Sequence, residues 1–395
     1  MKNRGTIKLI DLRRVKLNEF LFFAAFIFYF AHYFINASLI DNLVPGVLRL
    51  FRLAVLFILA LKWLFAERYS KKKVWVWGIF LITLLSVVVG GRYRAILLSM
   101  CLILSGQEIE FQKIVKALFL NTAGWSILIV LLCFLGILPD YTFVHELGSK
   151  VVTAHSWGFD YYSWLGFIAM ALTMMWIYLR KKVRLFELII LGLLNYVLFE
   201  FHTTNLAFYI TIMYMAACYC VEGLHIICFM KKFWKYFATV LPVVLCTLTF
   251  AIVFAYEKGI LSVGISWMNT VVGRLEYSVE AIEKYGIRLF ATRVQQFGNT
   301  AKVYGSAESA FYIDSGYVYS VIAYGIIFTV LVLVLYTILF RYLYQTNEKI
   351  LYLWVATMLF SSIMNNFLYD IMNNPVLFLI PAAVFGDRTL KKQTE

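Results

Sequence analysis

Apolar runs of about 18–22 residues recur from Phe20 to Phe385, separated by short polar or basic connectors. A helix needs roughly that length to cross about 30 Å of hydrocarbon. The pattern predicts spans at about 20–38, 46–65, 74–90, 95–106, 117–138, 161–179, 186–201, 205–224, 236–255, 318–340, 350–367 and 371–386. Lipid cannot satisfy open strand edges, so the expected spanning element is the helix throughout. The expectation is an all-α polytopic membrane protein of about 12 transmembrane helices. No internal repeat or low-complexity linker divides it, so residues 1–395 read as one integral membrane domain.

One stretch breaks the rhythm. Residues 256–317 are too long for a connector and too polar for a span, which marks either a disordered loop or a folded cap. Between Ser266 and Tyr285, Met268, Val271, Val272, Leu275, Val279 and Ile282 follow helical spacing, with Glu276, Glu280 and Glu283 on another face. Gly286 suits the C-terminal cap. The segment therefore reads as a large extracytoplasmic loop carrying an amphipathic helix.

Charge sets the orientation. The 36 basic residues exceed the 22 acidic ones by 14, an excess that in a soluble protein would point to nucleic acid. Here most of the basic residues sit in short clusters between apolar runs, so no nucleic-acid partner is expected. With both termini inside, 25 of the Lys and Arg residues fall on the inner side and nine on the outer side, six of those nine in the long segment. That asymmetry follows the positive-inside rule, from which long segments are exempt. The six cysteines lie in or beside apolar runs and the five histidines lack ligand spacing, so no metal site is expected. No phosphate-binding glycine loop is present, and no cofactor is expected.

The candidate chemistry is cationic and outward. Arg274 lies in the amphipathic helix and Asp314 just before the next span. A guanidinium binds phosphate bidentately and keeps its proton, which suits a diphosphate leaving group. A carboxylate nearby can act as general base toward a sugar hydroxyl, or form a plain ion pair with the arginine. Arg49 and Arg52, three apart in the outer half of the second span, share a helix face. Such residues face a cavity or partner, or snorkel to the headgroups. Arg92, Arg94, His155, His202 and the Asn365–Asn374 turn also reach the outer side and could line the same cavity.

The segment Thr153-Ala154-His155-Ser156-Trp157-Gly158-Phe159 resembles one in the O-antigen and capsular polysaccharide polymerases, the Wzy-type membrane glycosyltransferases. Gly273-Arg274-Leu275 through Lys284-Tyr285-Gly286-Ile287-Arg288-Leu289-Phe290 is similar to that family, as is Ile313-Asp314-Ser315-Gly316-Tyr317. Trp157 stands where the family often has leucine, and Thr203-Thr204-Asn205-Leu206 where it often has a Thr-x-Ser-Arg element. The resemblance implies a polysaccharide polymerase in the cytoplasmic membrane. It would transfer a growing glycan from undecaprenyl diphosphate to a new lipid-linked repeat unit, without metal or cofactor. Donor and acceptor glycans, membrane lipids and other polysaccharide assembly proteins would be its partners. Taken with the placement of the charges, the candidate catalytic residues are Arg274, Asp314 and His155, and the candidate substrate contacts Arg49, Arg52, Arg92, Arg94, Arg288 and Tyr317. An O-antigen ligase-like enzyme shares this layout. A flippase or other transporter of lipid-linked oligosaccharide is the third class, but it would carry polar residues through the full membrane depth and no large outer cap.

The charge asymmetry makes the topology testable. Reporter fusions or cysteine labelling after residues 150 and 300 should both report the outer side. Labelling of either position from the cytoplasm refutes the assignment.

Overall fold

The structure is a computed structural model, and it describes residues 3–44, 46–67, 71–91, 94–147, 150–181, 183–225, 232–261, 269–296 and 311–386. Among these the chain is mostly helix. The principal helices are α1 (Asn3–Asn36), α2 (Val47–Phe65), α3 (Lys71–Gly91), α4 (Arg94–Ser105) and α5 (Phe111–Phe134). After a β-hairpin come α6 (Trp164–Arg180), α7 (Leu185–His202), α8 (Asn205–Cys218), α9 (Lys232–Glu257) and α10 (Asn269–Tyr285). The chain ends in α11 (Ile326–Gln345), α12 (Lys349–Ser361) and α13 (Ile380–Phe385). Seven helices among the described residues are long and apolar enough to cross a membrane. They expose large apolar side chains along their length, including Ile82, Val89, Phe186 and Leu193. A surface of that kind suits lipid better than water.

Charged groups collect at one end of the bundle. Glu67 bridges Lys62 (2.8 Å) and Lys73 (2.7 Å), all three side chains at most 4% exposed, and the Lys73 ammonium lies over the Trp77 ring. Arg14 and Asn18 reach Glu108, and Lys113 reaches Glu19. This is the end that the basic clusters assign to the inside. At the opposite end lie the hairpin, the turn after α7, α10 and the segments 311–315 and 362–374.

Three expectations need correction, and one connector gains an element. The connector 139–160, between the expected spans 117–138 and 161–179, carries a hairpin: β1 (Thr142–Leu147) pairs antiparallel with β2 (Lys150–His155), Phe143 opposite Ala154 and Thr142 opposite His155. Its β-branched residues flank Gly148-Ser149, a dipeptide class that hairpins favour, and that signal was legible in the sequence. The first helix begins near residue 3, not 20, because its polar N-terminal turns extend past the apolar run. The expected span 318–340 is interrupted. Gly316–Tyr319 and a π-turn at Ser320–Tyr324 precede a break at Gly325, and α11 continues to Gln345. The expected last span, 371–386, is a 3₁₀ turn (Pro375–Leu379) followed by the short α13, since Pro375 and Pro381 remove backbone donors.

The break at Gly325 locks the cap to the bundle. Ile326 N–H donates to the Arg288 carbonyl, Ile327 N–H to Leu289 and Thr292 N–H to Ala323. Gly325 has φ +86° and ψ 160°, a conformation almost confined to glycine. A Cβ there would lie 2.6 Å from the Leu289 carbonyl oxygen and from the Phe290 carbonyl carbon, both backbone atoms. Gly46 also has positive φ, but nothing lies within 4 Å of its absent Cβ. Gly325→Ala should therefore cut the yield of monodisperse protein sharply. Gly46→Ala should cost only the left-handed penalty of about 1–2 kcal/mol. Size-exclusion yield and melting temperature measure both, and equal behaviour of the two variants contradicts this account.

Candidate functional site

The cap helix α10 turns Leu275, Val279 and Ile282 toward the bundle and buries Ala281, while Glu276, Glu280 and Glu283 stay on its outer side. Gly286, at φ +68°, ends the helix and its N–H bonds to Ile282. The expected amphipathic pattern is thus observed over residues 273–285, with the cap at Gly286; the side chains of Val271 and Val272 lie outside the described residues. The earlier positions 266–268 lie outside the described residues.

Arg274 is carried on the bundle side of this helix. Its Nε donates to Asp314 Oδ2 at 3.0 Å, with side-chain exposures of 24% and 12%. Asp314 is held in place because its neighbours on either side, Ile313 and Ser315, are both buried. Burial pushes the Asp314 carboxyl above its ordinary value, while the Arg274 charge and hydrogen bond and then Tyr312 pull it down. This pair sits beside a cluster of tyrosines. Tyr161 donates to Tyr162 (3.3 Å), Tyr312 lies beside Tyr161, and Tyr162 is within electrostatic reach of both Arg274 and Asp314. Burial raises all three phenols, so they remain hydrogen-bond donors. The Tyr161 and Tyr162 rings are 4.4 Å apart, and Tyr277 of α10 packs against Tyr312. The arrangement joins a cation, a carboxylate and aromatic faces drawn from three separate segments.

His155 belongs elsewhere. Strand residues alternate faces, and Phe143 with Ala154 face inward, where the Phe143 ring meets Tyr161 and Tyr162. Thr142 and His155 therefore share the opposite face of the hairpin. The His155 Nδ1 instead donates to Asp140 Oδ2 at 2.6 Å. Asp140 Oδ1 accepts from the Ser156 and Trp157 amides at 3.0 and 2.9 Å. His202 Nδ1 donates to the His155 carbonyl at 2.6 Å, and Trp157 packs on its ring. His155 and His202 thus tie the hairpin to the end of α7.

The remaining expected contacts scatter. Arg49 is exposed on the first turn of α2, and Arg52 Nε donates to its own helix at Leu48. Arg52 lies within electrostatic reach of His32 on α1. Arg288 is exposed, and its backbone carbonyl serves α11. Tyr317 is fully buried and donates to the Leu359 carbonyl at 3.0 Å, so it packs the core and lines no surface. Arg92 and the side chain of Arg94 lie outside the described residues.

A second polar cluster surrounds Asp370, which accepts from Tyr33, Asn373 and the Met372 amide. Next to it, Trp164 donates to Asp160 at 2.6 Å and its ring meets Tyr33. These donors satisfy Asp370 within the fold. Tyr33 carried no sequence signal because its partner Asp370 is remote in the chain.

No family model, no curated protein and no solved structure matches this chain.

Proposed function

We propose that this protein is a polysaccharide polymerase that joins undecaprenyl-diphosphate-linked oligosaccharide repeat units at the outer face of the cytoplasmic membrane. In this reading the chain crosses about twelve times, with the shorter apolar helices Ala95–Ser105, Trp164–Arg180, Lys349–Ser361 and Pro375–Phe385 packed among the longer ones. The observation that supports it best is the Arg274–Asp314 pair, half-shielded beside Tyr161, Tyr162 and Tyr312. A diphosphate needs a cation that cannot lose its proton. Sugar rings need apolar faces and hydrogen-bond donors together, and tyrosine supplies both.

The chemistry divides between the two charged residues. An acceptor hydroxyl oxygen attacks the anomeric carbon of the donor glycan. The bond from that carbon to the diphosphate oxygen breaks, and undecaprenyl diphosphate leaves with the electron pair against Arg274. Asp314 takes the hydroxyl proton, and its burial favours holding that proton.

Arg274→Ala and Asp314→Ala should each abolish chain growth and leave single repeat units on the lipid carrier, seen by gel analysis of the glycan. A purely structural pair behaves differently: each single change would lower protein abundance, and Arg274→Asp combined with Asp314→Arg would restore abundance and activity together. A dead but abundant swap supports separate chemical roles, and a restored swap removes both residues from the reaction.

Arg49 and Arg52 are the second test. If they hold the lipid diphosphate during entry, Ala or Glu replacements should lose polymer while the protein still inserts. Lys should rescue only in part, because it lacks the planar fork. Full activity of the double Ala variant assigns them to headgroup snorkelling.

A further inference from the structure

The form of the Arg274–Asp314 contact acquires a mechanistic meaning that rests on the polymerase reading. The carboxylate touches the guanidinium at one point, through Nε. Such a pair is less firmly held than a bidentate one, in which two parallel N–H donors face both carboxylate oxygens. It also lies at the wet edge of the cluster, since both side chains keep some exposure. A diphosphate carries more charge than a carboxylate and offers several acceptor oxygens to the planar fork.

We propose that Asp314 occupies the place of the substrate's diphosphate in the resting protein, and that a bound diphosphate displaces it from Arg274. Binding of the lipid donor thereby frees the base. The groups facing Asp314 are Arg274 from α10, Tyr312 from its own segment and Tyr162 from the loop before α6. Arg274 is the largest influence holding the carboxyl down against burial. Once the diphosphate takes the guanidinium, the carboxylate is left in a poorly solvated site with two phenols and a new anion nearby. Its affinity for a proton rises. Asp314 is freed from its partner only after the donor has arrived, so it takes the acceptor hydroxyl proton only when an anomeric carbon is in place to be attacked.

Inorganic pyrophosphate is the probe, titrated calorimetrically into the purified full-length protein in lipid nanodiscs. Asp314→Asn should bind pyrophosphate about tenfold tighter than wild type, because the resident competitor is gone. Glu280→Gln removes the same charge from the outer side of α10 and should change nothing. Arg274→Ala should lose binding. The infrared difference spectrum of the wild type should show the Asp314 carboxylate stretching bands shift on pyrophosphate addition, as the carboxylate loses its guanidinium partner, and Asp314→Asn should lack that change. Equal or weaker binding by Asp314→Asn, with binding still dependent on Arg274, overturns displacement and leaves the polymerase reading intact. Equal tightening by Glu280→Gln overturns it as well, since general repulsion then suffices. Binding that survives Arg274→Ala instead removes Arg274 as the diphosphate ligand, and with it the polymerase reading itself. If Asp314→Asn does not fold, the wild-type spectrum decides alone, and carboxylate bands unmoved at saturation overturn the proposal.

Discussion

A chain surrounded by hydrocarbon can interrupt its helices only where other parts of the chain replace the lost backbone partners. That constraint governs the cap end. The N–H of Gly316 is taken by the carbonyls of Ser362 and Asn365. Side chains do the same for neighbouring carbonyls. Tyr317 donates to Leu359, Tyr336 to Leu368 and the Trp354 indole to Asn373. The two irregular stretches, 311–325 and 362–379, thus satisfy each other and the helices around them. Each such buried hydrogen bond contributes about 1 kcal/mol net, and leaving its acceptor unpaired would cost about 1–3 kcal/mol.

The consequence is a rigid shelf under Arg274. Because Gly316 and Tyr317 are anchored, the preceding Asp314 has a defined position, with Ile313 and Ser315 buried at its flanks. From the other side, the run 288–292 is pinned along Gly325, which fixes the exit of α10. The two halves of the charge pair are 40 residues apart in sequence and meet because both ends of the intervening chain are tied to the same broken helix. A partly shielded ion pair contributes little net stability by itself. Its position is better understood through what an incoming anion would meet.

The hairpin separates two chemistries at this end. Its inner face, through Phe143, extends the aromatic wall beside the charge pair. Its outer face carries the Asp140–His155 contact, whose carboxylate is held by two backbone amides. Alternation along a strand is strict, so adjacent residues cannot serve one cavity. His155 therefore lies on the face of the hairpin opposite to the one that meets Tyr161 and Tyr162.

Local pattern alone determined much of this protein. Run length and the spacing of basic clusters were enough for the helical class and the turn at His202–Thr204. They also sufficed for the cap helix with Gly286 at its end, since each depends on neighbours within a few residues. The pairing of Arg274 with Asp314 was legible only as a possibility, because sequence carries charge but not distance. The break at Gly325, the short final helix and the tie of the hairpin to His202 were decided by tertiary structure. Gly325 takes its conformation from the backbone of Leu289 and Phe290, on the far side of the cap segment. The tyrosine cluster needs residues 161, 162 and 312 on one surface. No local pattern reports contacts of that range, because a side chain's chemistry does not reveal which distant segment will complete it.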